Sequence, residues 1–150
     1  QSLVRFKYYG CREYGDFYAK AMSVFGKKYL ERWKPDLIVP VPLHPRKKRM
    51  RGFNQAAYLA ERLSDLTGIP WNEHLVKKIR STRSQKKLNA IQRRQNLKNA
   101  YRVTEKITGF SVLVVDDVYT TGSTADAMAM CLLEAGAEKV YFLTICAGRA

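Results

Sequence analysis

The sequence predicts an α/β fold in which a parallel β-sheet lies between two layers of helices. Apolar runs of strand length alternate with amphipathic helical segments, a pattern typical of parallel sheets with right-handed crossovers. Val112 to Val115 is a run of four apolar residues, three of them β-branched, which indicates a strand buried on both faces. Two carboxylates and a loop of Thr, Gly and Ser follow, before a helical pattern begins at about Ala125. We therefore expect the Val112–Val115 strand to be central.

Composition limits the classes of protein to which the chain can belong. Its 150 residues suffice for a single domain with a buried core. No run is long and apolar enough to span a membrane and no signal-peptide pattern opens the sequence, so we expect a cytoplasmic protein without membrane insertion. Cys11, Cys131 and Cys146 are widely spaced, which favours reduced thiols over a zinc site. The net charge of +14 indicates anionic substrates or a polyanionic partner.

The remaining elements follow from hydrophobic periodicity and from caps. Gly15 to Trp33 has apolar residues at helical spacing and predicts one amphipathic helix. A second helix is predicted from the N-cap Asn54 to Gly68, and a third from Ala125 to Glu134. The predicted strands of the parallel sheet are Leu37–Val41, Leu75–Ile79 at an edge, Ser111–Val115 and Val140–Ile145.

The stretch after the central strand combines features that suit a phosphate and a sugar. A glycine-containing hydroxyl loop at a helix N-terminus presents backbone N–H groups and a favourable dipole to an anion. Carboxylates cannot serve a phosphate, but they can accept hydrogen bonds from ribose hydroxyls. The residues concerned are Asp116, Asp117, Thr120, Thr121, Gly122, Ser123 and Thr124. The alternative is a capped helix beside two solvated aspartates.

Two basic segments stand near this predicted site. After the Leu37–Val41 strand, prolines at alternate positions predict a rigid extended path, followed by five cations in the six residues Arg46 to Arg51. His44 within this path is either a turn residue or a general base. The second segment, Arg80 to Gln95, has few apolar anchors and predicts a mobile loop, either a surface loop or a cationic lid. Its candidate residues are Arg83, Gln85, Lys86 and Arg93.

The string Val112 to Thr124 resembles the signature of type I phosphoribosyltransferases, which bind phosphoribosyl pyrophosphate (PRPP). The strings Val39–Pro45 and Arg51–Gln55 are similar to the ComF branch of that family (ComFC/GntX-like), bacterial proteins linked to competence and DNA uptake. The resemblance implies a type I phosphoribosyltransferase core over residues 35–150. Residues 1–34 would then form an N-terminal hood, in which Tyr8 or Tyr9 could stack on an acceptor base. The usual cysteine-rich zinc-ribbon segment of ComF proteins is absent from this sequence.

The resemblance also implies roles for individual residues. Asp116 and Asp117 would bind the ribose hydroxyls and hold Mg²⁺ through water, while residues 120–124 hold the 5′-phosphate. The loop Leu43 to Arg46, including His44, would receive pyrophosphate together with Arg51, although the sequence does not distinguish among the five cations. Asp116, Asp117 and Arg46 are the candidate catalytic residues.

Two functions remain open at this level. One is transfer of phosphoribosyl from PRPP to an unidentified acceptor with release of pyrophosphate, in natural transformation. The other is a non-catalytic competence factor that senses PRPP and binds single-stranded DNA. The family also suggests a competence helicase or ATPase as partner, whereas the sequence is silent on oligomeric state.

Overall fold

The computed structural model describes residues 12–80, 89, 91–92, 99–119 and 122–147. The helices of this part are α1 (Arg12–Phe25), α2 (Lys27–Trp33), α3 (Pro45–Arg51), α4 (Gln55–Thr67) and α5 (Ser123–Glu134). The strands are β1 (Leu37–Pro40), β2 (Val76–Lys78), β3 (Tyr101–Val103), β4 (Ser111–Tyr119) and β5 (Lys139–Ala147).

A parallel sheet with strand order β1–β4–β5 forms the centre of the molecule. Pro40 of β1 lies opposite Val115 of β4, and Asp116 of β4 lies opposite Thr144 of β5. Trp71 adds a single parallel bridge to Ile38. The prediction of an α/β fold with the Val112–Val115 segment in a central strand is confirmed, because β4 has a parallel neighbour on each side.

Helices cover both faces of this sheet, as the three-layer prediction requires. Val112 and Val114 belong to a core cluster with Met128 and Leu132 of α5. The alternate residues Leu113 and Val115 belong to a second cluster, which includes Ala19 and Met22 of α1 and Leu59, Ala60 and Leu63 of α4. All four β4 residues are completely buried. Burying an aliphatic side chain of this size stabilises the fold by about 1.5–3 kcal/mol.

The single helix predicted over Gly15–Trp33 is wrong in one respect, since α1 and α2 are separated at Gly26. The backbone N–H of Gly26 donates to the carbonyl of Met22, and its own carbonyl accepts from Leu30. A Cβ atom at residue 26 would lie 2.5 Å from that Met22 oxygen, so this close approach requires glycine. The apolar periodicity runs through the break, which is why it does not reveal the interruption.

The assignment of Leu75–Ile79 to the parallel sheet is also wrong. β2 instead pairs antiparallel with β3 in a separate small sheet, with Val76 opposite Val103 and Lys78 opposite Tyr101. Leu75 and Val76 are buried in the core cluster that contains Val112. The local strand pattern is therefore correct, but its pairing depends on β3, a partner over twenty residues further along the chain.

The described part of the N-terminal segment is integrated into the core. Ala19 and Met22 of α1 pack with Leu59 of α4 against the sheet. The residues Tyr8 and Tyr9, through which the predicted hood of residues 1–34 would contact an acceptor, lie outside the described residues, so the hood stays a prediction. None of the helices in the described ranges has the length and apolarity needed to cross a bilayer.

Candidate functional site

The two predicted ligand loops meet at one edge of the sheet. β1 and β4 are adjacent and parallel, so the residues that follow Pro40 and Val115 emerge on the same side. The backbone N–H of Val41 still donates to the carbonyl of Val115, at 3.0 Å, which fixes the start of the first loop against β4. Leu43, His44 and Arg46 therefore lie at the same edge as Asp116 and Asp117. Ligands of open α/β sheets bind at this edge.

The two carboxylates lie within β4 rather than after it, which corrects the predicted end of the strand at Val115. β4 pairs with β5 as far as Tyr119, although its pairing with β1 ends near Val115. The strand thus projects beyond β1 by several residues. Its length could not be seen in the sequence because the carboxylates interrupt the apolar run, and only pairing with β5 keeps them extended.

Asp116 and Asp117 point to opposite faces of the sheet, as neighbouring residues in a strand do. Asp116 lines a small cleft together with Gly122, Thr124 and Thr144. Asp117 is buried, with 9% of its surface exposed, and its backbone N–H donates to Oδ1 of Asp116 at 2.8 Å. Of the two predicted ribose ligands, Asp116 is therefore the one that lies in the cleft with the loop after β4.

Helix α5 begins directly after this loop, at Gly122. Gly122 has a φ of 79°, in the left-handed region, and it makes no side-chain cap. A Cβ atom here would lie 2.6 Å from the hydroxyl of Tyr119. Ser123 and Thr124 form the first turn of α5, two residues earlier than the predicted helix start at Ala125, whereas Thr120 and Thr121 lie outside the described residues. The helix N-terminus and the Asp116 carboxylate thus share one cleft.

The loop after β1 leads into a short helix, α3, that the sequence analysis did not predict. Pro45 occupies its first turn, where a missing N–H costs nothing, and the extended path is confined to the preceding residues. Nδ1 of His44 accepts a hydrogen bond from the backbone N–H of Arg46, at 3.3 Å. An Nδ1 atom that accepts a hydrogen bond carries no proton of its own, so here it acts as the acceptor of a helix cap. His44 therefore caps α3, which fits the turn role better than the general-base role.

The cations of α3 are mostly exposed to solvent. Lys48 forms an ion pair with Glu73, at 3.3 Å, which ties the helix to the segment before β2. Arg51 differs, because it is only partly exposed and its Nη1 donates to Oε1 of Gln55 at 3.3 Å. Gln55 and the neighbouring Asn54 are buried, at 2% and 8% exposure. Among the described contacts, Arg51 is thus the α3 cation held by a buried side chain.

Asn54 connects the two elements around this loop. Its Nδ2 donates to the carbonyl of Val41 at 3.1 Å, and its Oδ1 accepts from the backbone N–H of Ala56 at 3.0 Å. One amide therefore caps α4 and also satisfies a carbonyl at the end of β1. The sequence analysis identified the cap, but the contact with Val41 depends on tertiary structure.

Lys78 and Tyr101 are site residues that the sequence analysis missed. Lys78 of β2 lies over the ring of Tyr101, with Nζ 5.8 Å from the centroid. Burial, reinforced by the charge of Lys47, lowers the pKa of Lys78 to about 8 against the opposing effect of Asp116. Burial and the nearby Asp116 raise the pKa of Tyr101. A hydrogen bond with Thr124 lowers this pKa and partly offsets the rise. The sequence feature that could have identified Lys78 is the alternation of side chains along a strand, which places Lys78 on the same face as the apolar Val76.

Some predicted site residues cannot be placed. The residues assigned to the basic loop, Arg83, Gln85, Lys86 and Arg93, lie outside the described part of the chain. Within the described part, no group of three or more His, Cys, Asp or Glu side chains could hold a metal ion.

Comparison with known proteins identifies the class. The phosphoribosyl transferase domain model matches residues 12–150, so the chain belongs to that family. In fold it is similar to PRPP synthetase from Mycobacterium smegmatis, with a TM-score of 0.55 at 20% identity over 85% of this chain and 33% of that one. Adenine phosphoribosyltransferase from Thermoanaerobacter pseudethanolicus gives a TM-score of 0.54 at 18% identity, covering 89% and 69% of the two chains. At such identities the likeness concerns the fold alone.

The sequence relatives confirm the ComF branch. DNA utilization protein YhgH of Escherichia coli is 42% identical over 112 residues, which cover 75% of this chain and 49% of that protein. Competence protein F of Haemophilus influenzae is 40% identical over 109 residues, covering 71% and 48%. Competence protein ComFC of Bacillus subtilis is 33% identical over 137 residues, covering 91% and 54%. The chain thus spans about half the length of these relatives.

Proposed function

We propose that this chain binds PRPP together with Mg²⁺ and transfers the phosphoribosyl group to an acceptor, with release of pyrophosphate. One observation carries the proposal. A helix N-terminus at Gly122, the carboxylate of Asp116 and the cation-rich loop after β1 converge at one sheet edge. These groups match the 5′-phosphate, the ribose hydroxyls and the pyrophosphate of PRPP in that order.

In this proposal the residues of the site mainly position the donor and stabilise charge. Residues 120–124 hold the 5′-phosphate, and Asp116, the carboxylate in the cleft, accepts hydrogen bonds from the ribose. The acceptor attacks the anomeric carbon as the bond to pyrophosphate breaks, and the bonding electron pair leaves with pyrophosphate. The acceptor proton passes to pyrophosphate or solvent. Arg46 and Arg51 stabilise the departing anion, so catalysis relies on orientation and electrostatics.

The donor set fits Mg²⁺ that arrives with the substrate. The described part of the site offers two adjacent carboxylates, Asp116 and Asp117, but no cluster of three protein ligands. Mg²⁺ keeps several waters and binds readily through one or two carboxylates plus substrate phosphates. When bound, it would neutralise charge on the pyrophosphate.

Substitution of Asp116 tests the donor half. Asp116→Ala is expected to weaken PRPP binding by at least tenfold in calorimetry with Mg²⁺, because Asp116 is the carboxylate that lies in the cleft. Tight, unchanged binding by the variant would contradict the proposed ribose site. Continuous release of pyrophosphate from PRPP, measured while bases, nucleotides and DNA are screened, would identify an acceptor and support transfer.

The names of the relatives supply the biological setting of the proposal. Proteins called competence proteins and a DNA utilization protein share the domain, so we place the chain in DNA uptake during natural transformation. In this setting it acts in the cytoplasm, with a competence helicase or ATPase as a partner.

A second candidate function is binding of single-stranded DNA with PRPP as a sensed ligand. It is favoured by Lys77 and Arg102, which are exposed and lie directly opposite each other in the β2–β3 pair. Like charges in this arrangement are destabilising, so an anion would relieve their repulsion. The exposed cations of α3 lie near the same small sheet, as the contact of Lys48 with Glu73 indicates.

A salt titration separates the two candidates. Each phosphate contact with a single strand contributes about 0.7 to the slope of log affinity against log salt. Replacing Lys77 and Arg102 by Gln should therefore lower the slope by about 1.4. The matched control replaces Lys28 and Arg32 of α2, on the other face of the parallel sheet, and should leave the slope unchanged. Absence of DNA binding by the unaltered protein at low salt would eliminate this candidate.

A further inference from the structure

Gln55 is a polar side chain in an unusual position for its type. It is the first residue of α4 and is 2% exposed. A glutamine at the start of a helix normally extends into solvent, because a buried amide must replace its hydrogen bonds with water. The buried amide therefore needs a hydrogen-bond partner within the protein to replace water.

The structure supplies that partner in Arg51. Oε1 of Gln55 accepts a hydrogen bond from Nη1 of Arg51, at 3.3 Å. The two residues are four apart but do not share a helix, since the chain turns at Gly52 with a φ of 83°. The bond therefore spans the break between α3 and α4.

The start of α4 is itself anchored to the sheet. The side chain of Asn54 bridges the carbonyl of Val41 and the N–H of Ala56. Gln55 follows directly and is packed among buried residues, so its amide has little freedom. Arg51 thus receives a fixed acceptor, whereas the neighbouring cations Arg46, Lys47 and Arg49 are exposed on α3.

We propose that Gln55 is a positioning residue that holds the guanidinium of Arg51 at the sheet edge in readiness for the pyrophosphate of PRPP. The inference rests on the proposed function, because Arg51 is there a pyrophosphate contact. Holding a long side chain before the ligand arrives removes part of the entropy lost on binding. The corresponding gain in pyrophosphate affinity is about 3- to 10-fold.

The experiment measures how one substitution changes the affinity for pyrophosphate and for ribose 5-phosphate, the two halves of PRPP. Gln55→Met keeps the length and the packing of the side chain but removes the acceptor. Calorimetry with pyrophosphate and Mg²⁺ is expected to show an affinity lowered about 3- to 10-fold. Affinity for ribose 5-phosphate, which lacks pyrophosphate, should stay within about twofold. Ser64→Ala, which removes a hydrogen bond from the far end of the same helix, should change neither affinity.

A double-mutant cycle distinguishes positioning from general support of the fold. In the Arg51→Gln background, Gln55→Met should have no further effect on pyrophosphate affinity, since its effect acts through Arg51. Arg51→Lys keeps the charge without the planar group and should lose affinity to a similar extent, even if Gln55→Met does not fold.

The outcomes separate the inference from the proposed function. If the unaltered protein binds PRPP and both half-ligands, but Gln55→Met lowers both affinities equally or neither, the positioning role is overturned. Additive effects of Arg51→Gln and Gln55→Met, or full pyrophosphate affinity in Arg51→Lys, overturn it as well. If the unaltered protein binds neither PRPP nor its halves, the proposed function fails, and the inference fails with it.

Discussion

The two loops at the ligand edge of the sheet begin their helices in different ways. After β1, side chains cap both helices, His44 for α3 and Asn54 for α4. After β4, α5 begins at Gly122, and no side-chain cap is found for it in the described part of the chain. Helix N-termini leave N–H groups without intrahelical partners, which caps, water or ligands must satisfy. The first loop therefore satisfies N–H groups at its helix starts with its own side chains, whereas under the proposed function the 5′-phosphate binds at the start of α5.

This difference makes the two loops respond differently to substitution. In the first, removal of a cap should lower stability. In the second, a change at the helix start should lower ligand affinity more than stability. The half-buried amine of Lys78 should instead make the stability of the protein depend on pH. Each contrast has a matched control elsewhere in the chain.

The largest effect on stability is expected for Asn54→Ala. The loss of an N-cap costs about 1 kcal/mol, and the buried carbonyl of Val41 loses its partner for about 1–3 kcal/mol. The free energy of unfolding, measured in urea, should therefore fall by about 2–4 kcal/mol.

Asn72→Ala is the control for this substitution. Oδ1 of Asn72 likewise accepts from the backbone N–H two residues on, His74, but Asn72 is not buried. Its removal should cost about 1 kcal/mol or less. Equal losses in both variants would mean that the contact between Asn54 and Val41 adds nothing beyond the local turn.

A smaller effect on stability, but a clear effect on binding, is expected for Gly122→Ala. The left-handed φ of 79° disfavours alanine by about 1 kcal/mol, and the added Cβ would displace the hydroxyl of Tyr119. Because this glycine starts the helix that faces the cleft, affinity for ribose 5-phosphate should fall at least tenfold in calorimetry.

The matched glycine is Gly68, at the C-terminus of α4. Its φ is 76° and no atom lies within 4 Å of the Cβ position. Gly68→Ala should therefore cost similar stability but leave ribose 5-phosphate affinity unchanged. If the two variants bind equally well, α5 does not contribute its N-terminus to the phosphate site.

A pH dependence of stability is expected from Lys78. The folded protein holds its pKa at about 8, below the ordinary value of 10.5, so between these values the unfolded chain binds more protons. Stability should therefore rise with pH across that window, and below about pH 8 the cost of the buried charge is fully present. Lys78→Met should remove this rise and be the more stable protein at pH 7.

Comparison with Lys77→Met isolates this contribution. Lys77 is the adjacent, exposed residue of β2 and carries the same charge. Urea denaturation from pH 7 to pH 10 should give a rise in the Lys77 variant and a flatter profile in the Lys78 variant. Parallel profiles would show that Lys78 is solvated in the folded state.

Much of the fold was predictable because its signals are local. The β-branched run at Val112–Val115, the cap at Asn54 and the left-handed glycine after α4 each act over a few residues. The string from Asp116 to Thr124 could be selected as a candidate site for the same reason, since its carboxylates, glycine and hydroxyls lie close together in the sequence. Such features depend on propensities that are already present in the isolated chain.

The parts that were missed depend on residues far apart in sequence. β2 is not part of the parallel sheet because it pairs with β3 through Val103. β4 extends to Tyr119 because β5 continues beside it. The short helix α3 was not predicted because a run of cations has no apolar periodicity. Lys78 was missed because its environment comes from Lys47, Tyr101 and Asp116.

The sequence by itself determined the α/β class and the central strand, and it predicted the phosphate and ribose roles of residues 116–124, since periodicity and turn chemistry are local properties. Only the tertiary structure decided that Asp116 shares a cleft with Gly122 while Asp117 is buried, and that Gln55 holds Arg51. Which face a side chain occupies and what lies opposite depend on strand pairing and helix packing. These are set when the apolar surfaces of the whole chain are buried together.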